Sequence, residues 1–81
     1  MNIFVAKLNY STDADRLRSA FESFGDVESA KVIFDKDTGR SKGYGFVEMP
    51  NDDDGHQAIR ALNESDLDGR TIVVKIAQPR H

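Results

Sequence analysis

The sequence predicts an α+β fold in the order β-α-β-β-α-β, with two helices on one face of a four-stranded antiparallel sheet. Three observations predict it: short β-rich runs alternate between their two faces, two longer segments carry one apolar stripe at helical spacing, and turn-forming residues separate them. The 81 residues form a single predicted domain, 1–81, with a short C-terminal tail at 78–81. A chain of this size buries roughly 60% of its unfolded surface, enough for one core.

Four strands are predicted from residues that alternate between the two faces of a sheet. The clearest is 42–49, in which one set is small or apolar and suits the core: Gly43, Gly45, Val47 and Met49. The opposite set holds two aromatics, with a lysine before them and an acid after them: Lys42, Tyr44, Phe46 and Glu48. The other strands are 3–8, 27–34 and 72–77. Alternation in the first of them puts Phe4 on the same open face as Tyr44 and Phe46.

Two helices are predicted between these strands. In the first, Thr12 is the expected N-cap and Gly25 the expected C′ residue. Asn51 is the expected N-cap of the second, in which Gly55 takes a buried position at a cost of about 0.5–1 kcal/mol relative to alanine. Asp68-Gly69 marks a tight turn before the last strand. The apolar stripes are Ala14, Leu17, Ala20, Phe21 and Phe24 in the first helix, and Gly55, Ala58, Ile59 and Leu62 in the second.

Charge and composition limit the classes of function and the location that are expected. The net charge is −3, and many of the acids fall in the helical segments 13–22 and 52–64, whereas several cations lie in or beside strands. The sheet face is therefore expected to be the basic one, which permits a local anion site on an acidic protein. The chain has no cysteine, which excludes disulfides and fits a reducing compartment, so a cytoplasmic location is expected. No apolar stretch is long enough for a signal peptide or a membrane span.

The pattern resembles the RNA recognition motif (RRM) family. Residues 42–49 match the family's RNP-1 octamer, K/R-G-F/Y-G/A-F-V-x-F/Y, except at the last place, where Met49 replaces an aromatic. Residues 3–8 resemble the RNP-2 hexamer, with Ala6 and Lys7 in place of the common Gly-Asn. The resemblance covers nearly the whole chain and implies the ferredoxin-like fold. The chain is similar to the small single-RRM RNA-binding proteins of bacteria, of the Bacteroidetes and cyanobacterial type.

The resemblance implies that the open face binds single-stranded RNA, as a post-transcriptional regulator or RNA chaperone would. Phe4 and Phe46 would each stack under a base, Tyr44 would pack against the sugars, and Lys42 would pair with the intervening phosphate. Phe4, Tyr44 and Phe46 are called the aromatic platform below. Stacking contributes about 1–3 kcal/mol per base, so two bases alone imply weak binding. Further contacts are expected from surrounding residues: Lys7, Lys31, Lys75, Arg40 in the loop at 36–40, and the residues after the last strand.

Two further side chains, Tyr10 and Glu48, lie near the platform residues in the sequence. Tyr10 follows the first strand and is expected to serve packing rather than binding. Glu48 puts a negative charge on the open face, where it would either repel phosphate or accept a hydrogen bond from a base amino group.

Other classes of function are weighed against this one. A protein-interaction RRM is the first alternative, but such variants often lack one or more stacking aromatics. Single-stranded DNA could also bind, because nothing clearly recognises the 2′-hydroxyl. An acylphosphatase-like enzyme needs a phosphate-cradling loop with an arginine after the first strand, and residues 8–12 hold none. No nucleophile–base pair is visible. We therefore expect a monomer without catalysis, cofactor, metal, membrane contact or small-molecule substrate.

Overall fold

The computed structural model of the protein describes residues 1–77, and the tail at 78–81, with its predicted contacts, lies outside the described residues. Within residues 1–77, six strands and two helices follow one another: β1 Asn2–Ala6, α1 Ala14–Glu22, β2 Ser29–Phe34, β3 Ser41–Glu48, α2 Asp52–Leu62, β4 Asp66–Leu67, β5 Arg70–Thr71 and β6 Val73–Ile76. Within the described range, neither helix has the length and apolar character needed to span a membrane.

The predicted ferredoxin-like fold is confirmed. The main sheet has the order β2-β3-β1-β6, and each neighbouring pair is antiparallel. A second, two-stranded sheet pairs β4 with β5 through the predicted turn at Asp68-Gly69, where both residues have positive φ. The alternation did not predict β4 and β5 because a two-residue strand is too short to show a period.

The core lies between the helices and one face of the main sheet. It contains Leu17 and Phe21 from α1 and Ala58 from α2, packed against Ile3, Val5, Val47 and Val74 of the strands. Gly45 on β3 pairs with Val32 on β2. A Cβ added there would lie 2.3 Å from the carbonyl oxygen of Lys31, so this position requires glycine. The helices therefore cover only the face on which Gly45 and Val47 lie.

The N-cap of the first helix lies one residue later than predicted. Asp13 is the N-cap, and its side chain accepts a hydrogen bond of 2.8 Å from the backbone N–H of Arg16. The prediction of Thr12 was wrong because its buried hydroxyl donates to Asp68 Oδ2 instead, at 2.8 Å. A residue whose hydroxyl bonds a distant element cannot also satisfy the helix terminus, and the neighbouring aspartate does so.

Several further boundaries differ from the prediction by one or two residues, and the N-cap of α2 agrees. Helix α1 ends at Glu22 with Ser23 as its C-cap, so Gly25 lies beyond the C′ position. The last turn tightens, because the Phe24 N–H bonds the carbonyl of Phe21 three residues back. Strand β2 begins at residue 29 rather than 27. The predicted cap of α2 is confirmed, since the Asn51 side chain accepts from the N–H of residue 54.

Candidate nucleic-acid interface

The three rings of the aromatic platform lie together on the open face of the sheet. Phe4 on β1 is directly opposite Phe46 on β3, and their ring centroids are 5.5 Å apart. Tyr44 completes a triangle, 5.7 Å from Phe4 and 6.3 Å from Phe46. All three side chains are half-buried, whereas Gly45 and Val47 between and beyond them are buried against the core. The rings are therefore held by the sheet while part of each remains accessible from solvent.

Two lysines flank the Phe4–Phe46 pair in the same cross-strand row. Lys31 on β2 is opposite Phe46, and Lys75 on β6 is opposite Phe4. The Lys75 Nζ lies 5.6 Å from the centroid of the Phe4 ring, within range of a cation–π contact. The row thus reads cation, ring, ring, cation across the four strands, an arrangement suited to stacked bases joined by phosphates.

Glu48 lies at the other end of β3 from Lys42. Its Cα partners are Ser29 on β2 and Asn2 on β1, in the row beyond that of Phe46. Among residues 1–77 its side chain forms no hydrogen bond or ion pair. The acid is therefore separated along β3 from Lys42 at the start of the strand.

The end of β1 and the start of β3 border a depression of about 300 Å³, called the loop-end depression. It is lined by Phe4, Ala6, Lys7, Leu8, Tyr10, Lys42, Gly43, Tyr44 and Arg70. The structure thus brings the predicted residues Lys7 and Lys42 together with Arg70, which the sequence did not single out. Arg70 lies in a two-residue strand of the hairpin, and no periodicity connects it with the sheet.

Tyr10, expected to serve packing, lies at the surface outside the buried core, with the residue 69% exposed. A Cβ added at Gly43 would lie 3.2 Å from Tyr10 Cε1, and Gly43 has a φ of 80°, which favours glycine. The absence of a side chain at Gly43 therefore lets the Tyr10 ring lie over the start of β3, with most of its surface open to solvent.

Arg40 lies in a different place from the platform. It borders a neighbouring depression of about 420 Å³ together with Tyr10, Phe34, Gly39 and Ser41. Phe34 is 52% exposed at the end of β2 and had no predicted role. Tyr10 lines both depressions.

A polar network fixes the loop that carries Tyr10. The Asn9 side-chain amide donates to the carbonyl oxygen of Asp68 at 3.0 Å. The Asp68 carboxylate accepts from Arg16 Nε and from the Thr12 hydroxyl, each at 2.8 Å. These two donors hold the pKa of Asp68 below its usual value, the arginine having the larger effect. The β1–α1 loop is thereby bound to the β4–β5 turn, and Tyr10 lies beside Arg70.

In the polar loop between β2 and β3, the carboxylate of Asp35 caps the loop's own backbone. Asp35 accepts hydrogen bonds from the N–H groups of Asp37 and Thr38, which lower its pKa. Lys42 adds a smaller electrostatic contribution in the same direction. No group of three or more potential metal ligands is found in the described part of the chain.

Comparison with known proteins identifies relatives over nearly the whole chain. Residues 3–73 match the sequence model of the RNA recognition motif family. The glycine-rich RNA-binding protein blt801 of Hordeum vulgare is 49% identical over 77 residues, which cover 95% of this chain and 48% of that protein. Among solved structures, the RNA-binding protein PG1 superimposes with a TM-score of 0.95 at 43% identity, covering 100% of this chain and 98% of that one. A Sxl-lethal protein–RNA complex superimposes with a TM-score of 0.91 at 28% identity, covering 99% and 48%.

The comparisons do not support the expected relationship to a specifically bacterial type. Curated relatives that match almost the whole chain come from plants, among them Hordeum vulgare and Arabidopsis thaliana, so they do not support a specifically bacterial type. The chain spans about half the length of these relatives.

Proposed function

The chain belongs to the RNA recognition motif family, and from that premise we propose that its open sheet face binds single-stranded RNA without catalysis. The observation that carries the proposal is the aromatic platform: three half-buried rings within 6.3 Å of one another on a face that the helices leave uncovered. We propose that Phe4 and Phe46 each stack under one base, that Tyr44 contacts the intervening sugars, and that Lys42 pairs with a phosphate.

The free energy of stacking two bases is small, so we expect residues besides the rings to contribute to RNA binding. Two stacked bases supply a few kcal/mol, at about 1–3 kcal/mol each. Lys31 and Lys75 lie in the same row as Phe46 and Phe4, so they can reach the bases or the backbone on either side of the pair. Their positions support a proposed binding site that spans the width of the sheet.

Single-stranded DNA and a protein partner are the two alternative ligands for this face. Single-stranded DNA offers the same stackable bases, and relative affinity for RNA and DNA of one sequence measures how far the 2′-hydroxyl is recognised. A protein partner is less favoured, because the half-exposed rings are accompanied by cations rather than by a continuous apolar patch. The presence of RNA-binding proteins among the relatives supports the same order of preference.

The proposal is tested by selection from a random pool of single-stranded RNA, with the Phe4→Ala/Phe46→Ala double variant as the control. The wild-type chain should enrich a set of sequences, and the folded double variant should enrich none. Duplex RNA should compete poorly, since a base must leave its stack to lie on a ring. Equal enrichment by both proteins, or strong competition by duplex RNA, would contradict a stacking platform.

We also propose a role as a post-transcriptional regulator or RNA chaperone in the cytoplasm. Preferential binding to single strands should shift the equilibrium of an RNA hairpin towards its open form. A hairpin labelled with a fluorophore and a quencher reports this shift directly, and the Phe4→Ala/Phe46→Ala variant should abolish it. An unchanged opening equilibrium at saturating protein would exclude the chaperone role.

A further inference from the structure

We propose that the loop-end depression binds a further nucleotide of the RNA strand, beyond those on the aromatic platform, through Tyr10, Lys7 and Arg70. This inference rests on the proposed function and extends it to a second site. No motif of the octamer or the hexamer includes Tyr10 or Arg70. The fold places both residues at the same depression.

The depression is continuous with the platform. Phe4 and Tyr44, two of the three platform rings, also line its wall. Lys42 lines it too, at the position proposed for the phosphate between the stacked bases. A strand that leaves the platform past Lys42 therefore enters the depression without crossing another element.

The depression has the chemistry and size that a nucleotide requires. Lys7, Lys42 and Arg70 bring three cationic side chains to one wall, and none of them forms an ion pair within residues 1–77. Since Lys42 is proposed to pair with the phosphate between the stacked bases, Lys7 and Arg70 are left to attract the phosphate of a further nucleotide. A volume of about 300 Å³ lies at the lower end of the range for small-ligand sites.

Tyr10 supplies a surface for a base or a sugar. Tyr10 is 69% exposed, so much of its surface is open to a ligand. One edge of the ring lies over Gly43, so the ring is supported from below while its remaining surface faces solvent.

The site is held in place before RNA binds. The Asn9 side chain joins the Tyr10 loop to the backbone of the β4–β5 turn, and the Asp68 carboxylate joins the same turn to Thr12 and Arg16. Arg70 follows this turn by one residue. Because the loop and the hairpin are already ordered relative to each other, binding does not have to supply the free energy for ordering them.

The test compares the binding of short and longer RNA. Dinucleotides and hexanucleotides of each of the four bases are titrated into the full chain, and the base that binds most tightly is used for the variants. A dinucleotide fills only the platform, whereas a hexanucleotide also reaches the depression in either strand direction. Tyr10→Ala and Arg70→Gln should each weaken hexanucleotide binding, Tyr10→Ala by about tenfold, and should leave dinucleotide binding unchanged. Arg70→Gln should also make the salt dependence of hexanucleotide binding shallower by about 0.7 in log–log slope.

Three controls separate this site from the platform and from the fold. Phe46→Ala should weaken both lengths, because it removes a platform ring. Arg60→Gln removes the same charge from α2 and should change neither. Tyr10→Phe keeps the ring and should retain hexanucleotide binding even if Tyr10→Ala lowers stability.

The possible outcomes decide between the two sites. If Phe46→Ala weakens both lengths while Tyr10→Ala and Arg70→Gln change neither, the further site is excluded and the platform stands. If the Tyr10 and Arg70 variants lose the same affinity for dinucleotides as for hexanucleotides, the further site is also excluded, because the substitutions would then act on binding at the platform. If Phe46→Ala changes neither length, the proposed function fails and this inference fails with it.

Discussion

The Lys75 ammonium lies 5.6 Å from the centroid of the Phe4 ring, and the two residues are Cα partners across β6 and β1. The ring proposed to stack with a base therefore already contacts a cation in the free protein. An exposed cation–π contact contributes about 0.5–1 kcal/mol, whereas a stacked base contributes about 1–3 kcal/mol. The magnitudes favour the base, so we expect Lys75 to move to the edge of the ring on RNA binding, where it can contact a phosphate.

Replacing Lys75 with methionine shows whether the lysine contributes to RNA binding or competes with a base for the Phe4 ring. Methionine keeps an unbranched stem over the sheet but removes the charge. If Lys75 moves onto a phosphate, Lys75→Met should weaken RNA binding and make the log–log salt slope shallower by about 0.7. Fluorescence anisotropy titrations at several salt concentrations measure both quantities. Tighter binding by the variant would instead mean that the lysine competes with the base for Phe4.

Lys42 is expected to contribute affinity without sequence preference. A phosphate contact carries no information about the base, so Lys42→Met should weaken binding to RNA of different sequences by similar factors. The salt slope should become shallower by about 0.7 for each of them. Titrations with four homopolymeric RNA strands check this directly. A loss confined to one or two of the strands would assign Lys42 to base recognition instead.

The alternation of the sequence was sufficient to predict the aromatic platform. Side chains in a strand alternate strictly, so the pattern at 42–49 and the short run containing Phe4 fixed which residues share a face. Antiparallel pairing of β1 with β3 then brings Phe4 opposite Phe46. Lys31 and Lys75 follow from the same rule, because they lie on neighbouring strands of one regular sheet.

The loop-end depression could not be predicted in this way. Tyr10 lies in a loop and Arg70 in a two-residue strand, and neither belongs to a segment with a period. Their proximity depends on the bond from Asn9 to the Asp68 carbonyl, between residues 59 positions apart. The same long-range contacts explain the misplaced helix cap, since Thr12 bonds Asp68 rather than its own helix.

Asp68 is expected to stabilise the fold in a pH-dependent manner. Its folded-state pKa is lowered by Arg16 and Thr12, so the carboxylate stabilises the protein above its unfolded pKa, and this contribution is lost as the pH falls below about 4. Asp68→Asn keeps the size of the side chain and its tolerance of the positive φ at this position. The variant should unfold at lower urea concentration than the wild type at pH 7, with a smaller difference at pH 3. An equal difference at both pH values would contradict an electrostatic contribution.

Two glycine-to-alanine substitutions should differ in their effect on stability. At Gly45 the added methyl group meets the backbone carbonyl of Lys31 at 2.3 Å, which cannot move without disrupting the pairing of β2 with β3. We expect Gly45→Ala to cost about 1–3 kcal/mol or more in the free energy of unfolding.

Gly55 is the matched control, at a buried position of α2. Its added methyl group meets the sulfur of Met1, which lies in a flexible side chain, and alanine favours a helix by about 0.5–1 kcal/mol. Gly55→Ala should therefore cost clearly less than Gly45→Ala in urea unfolding. Equal losses would mean that the space around Met1 is as rigid as the sheet.

Phe46 gives the most direct test of the platform. Phe46→Ala removes one half-buried ring from the open face and leaves the core residues on the opposite face of β3 unchanged. In an isothermal titration with the single-stranded RNA recovered from selection, we predict that this variant binds about 1–3 kcal/mol more weakly than the wild type, with an unchanged circular dichroism spectrum. Unchanged affinity in a folded Phe46→Ala protein would contradict RNA binding by base stacking on this face.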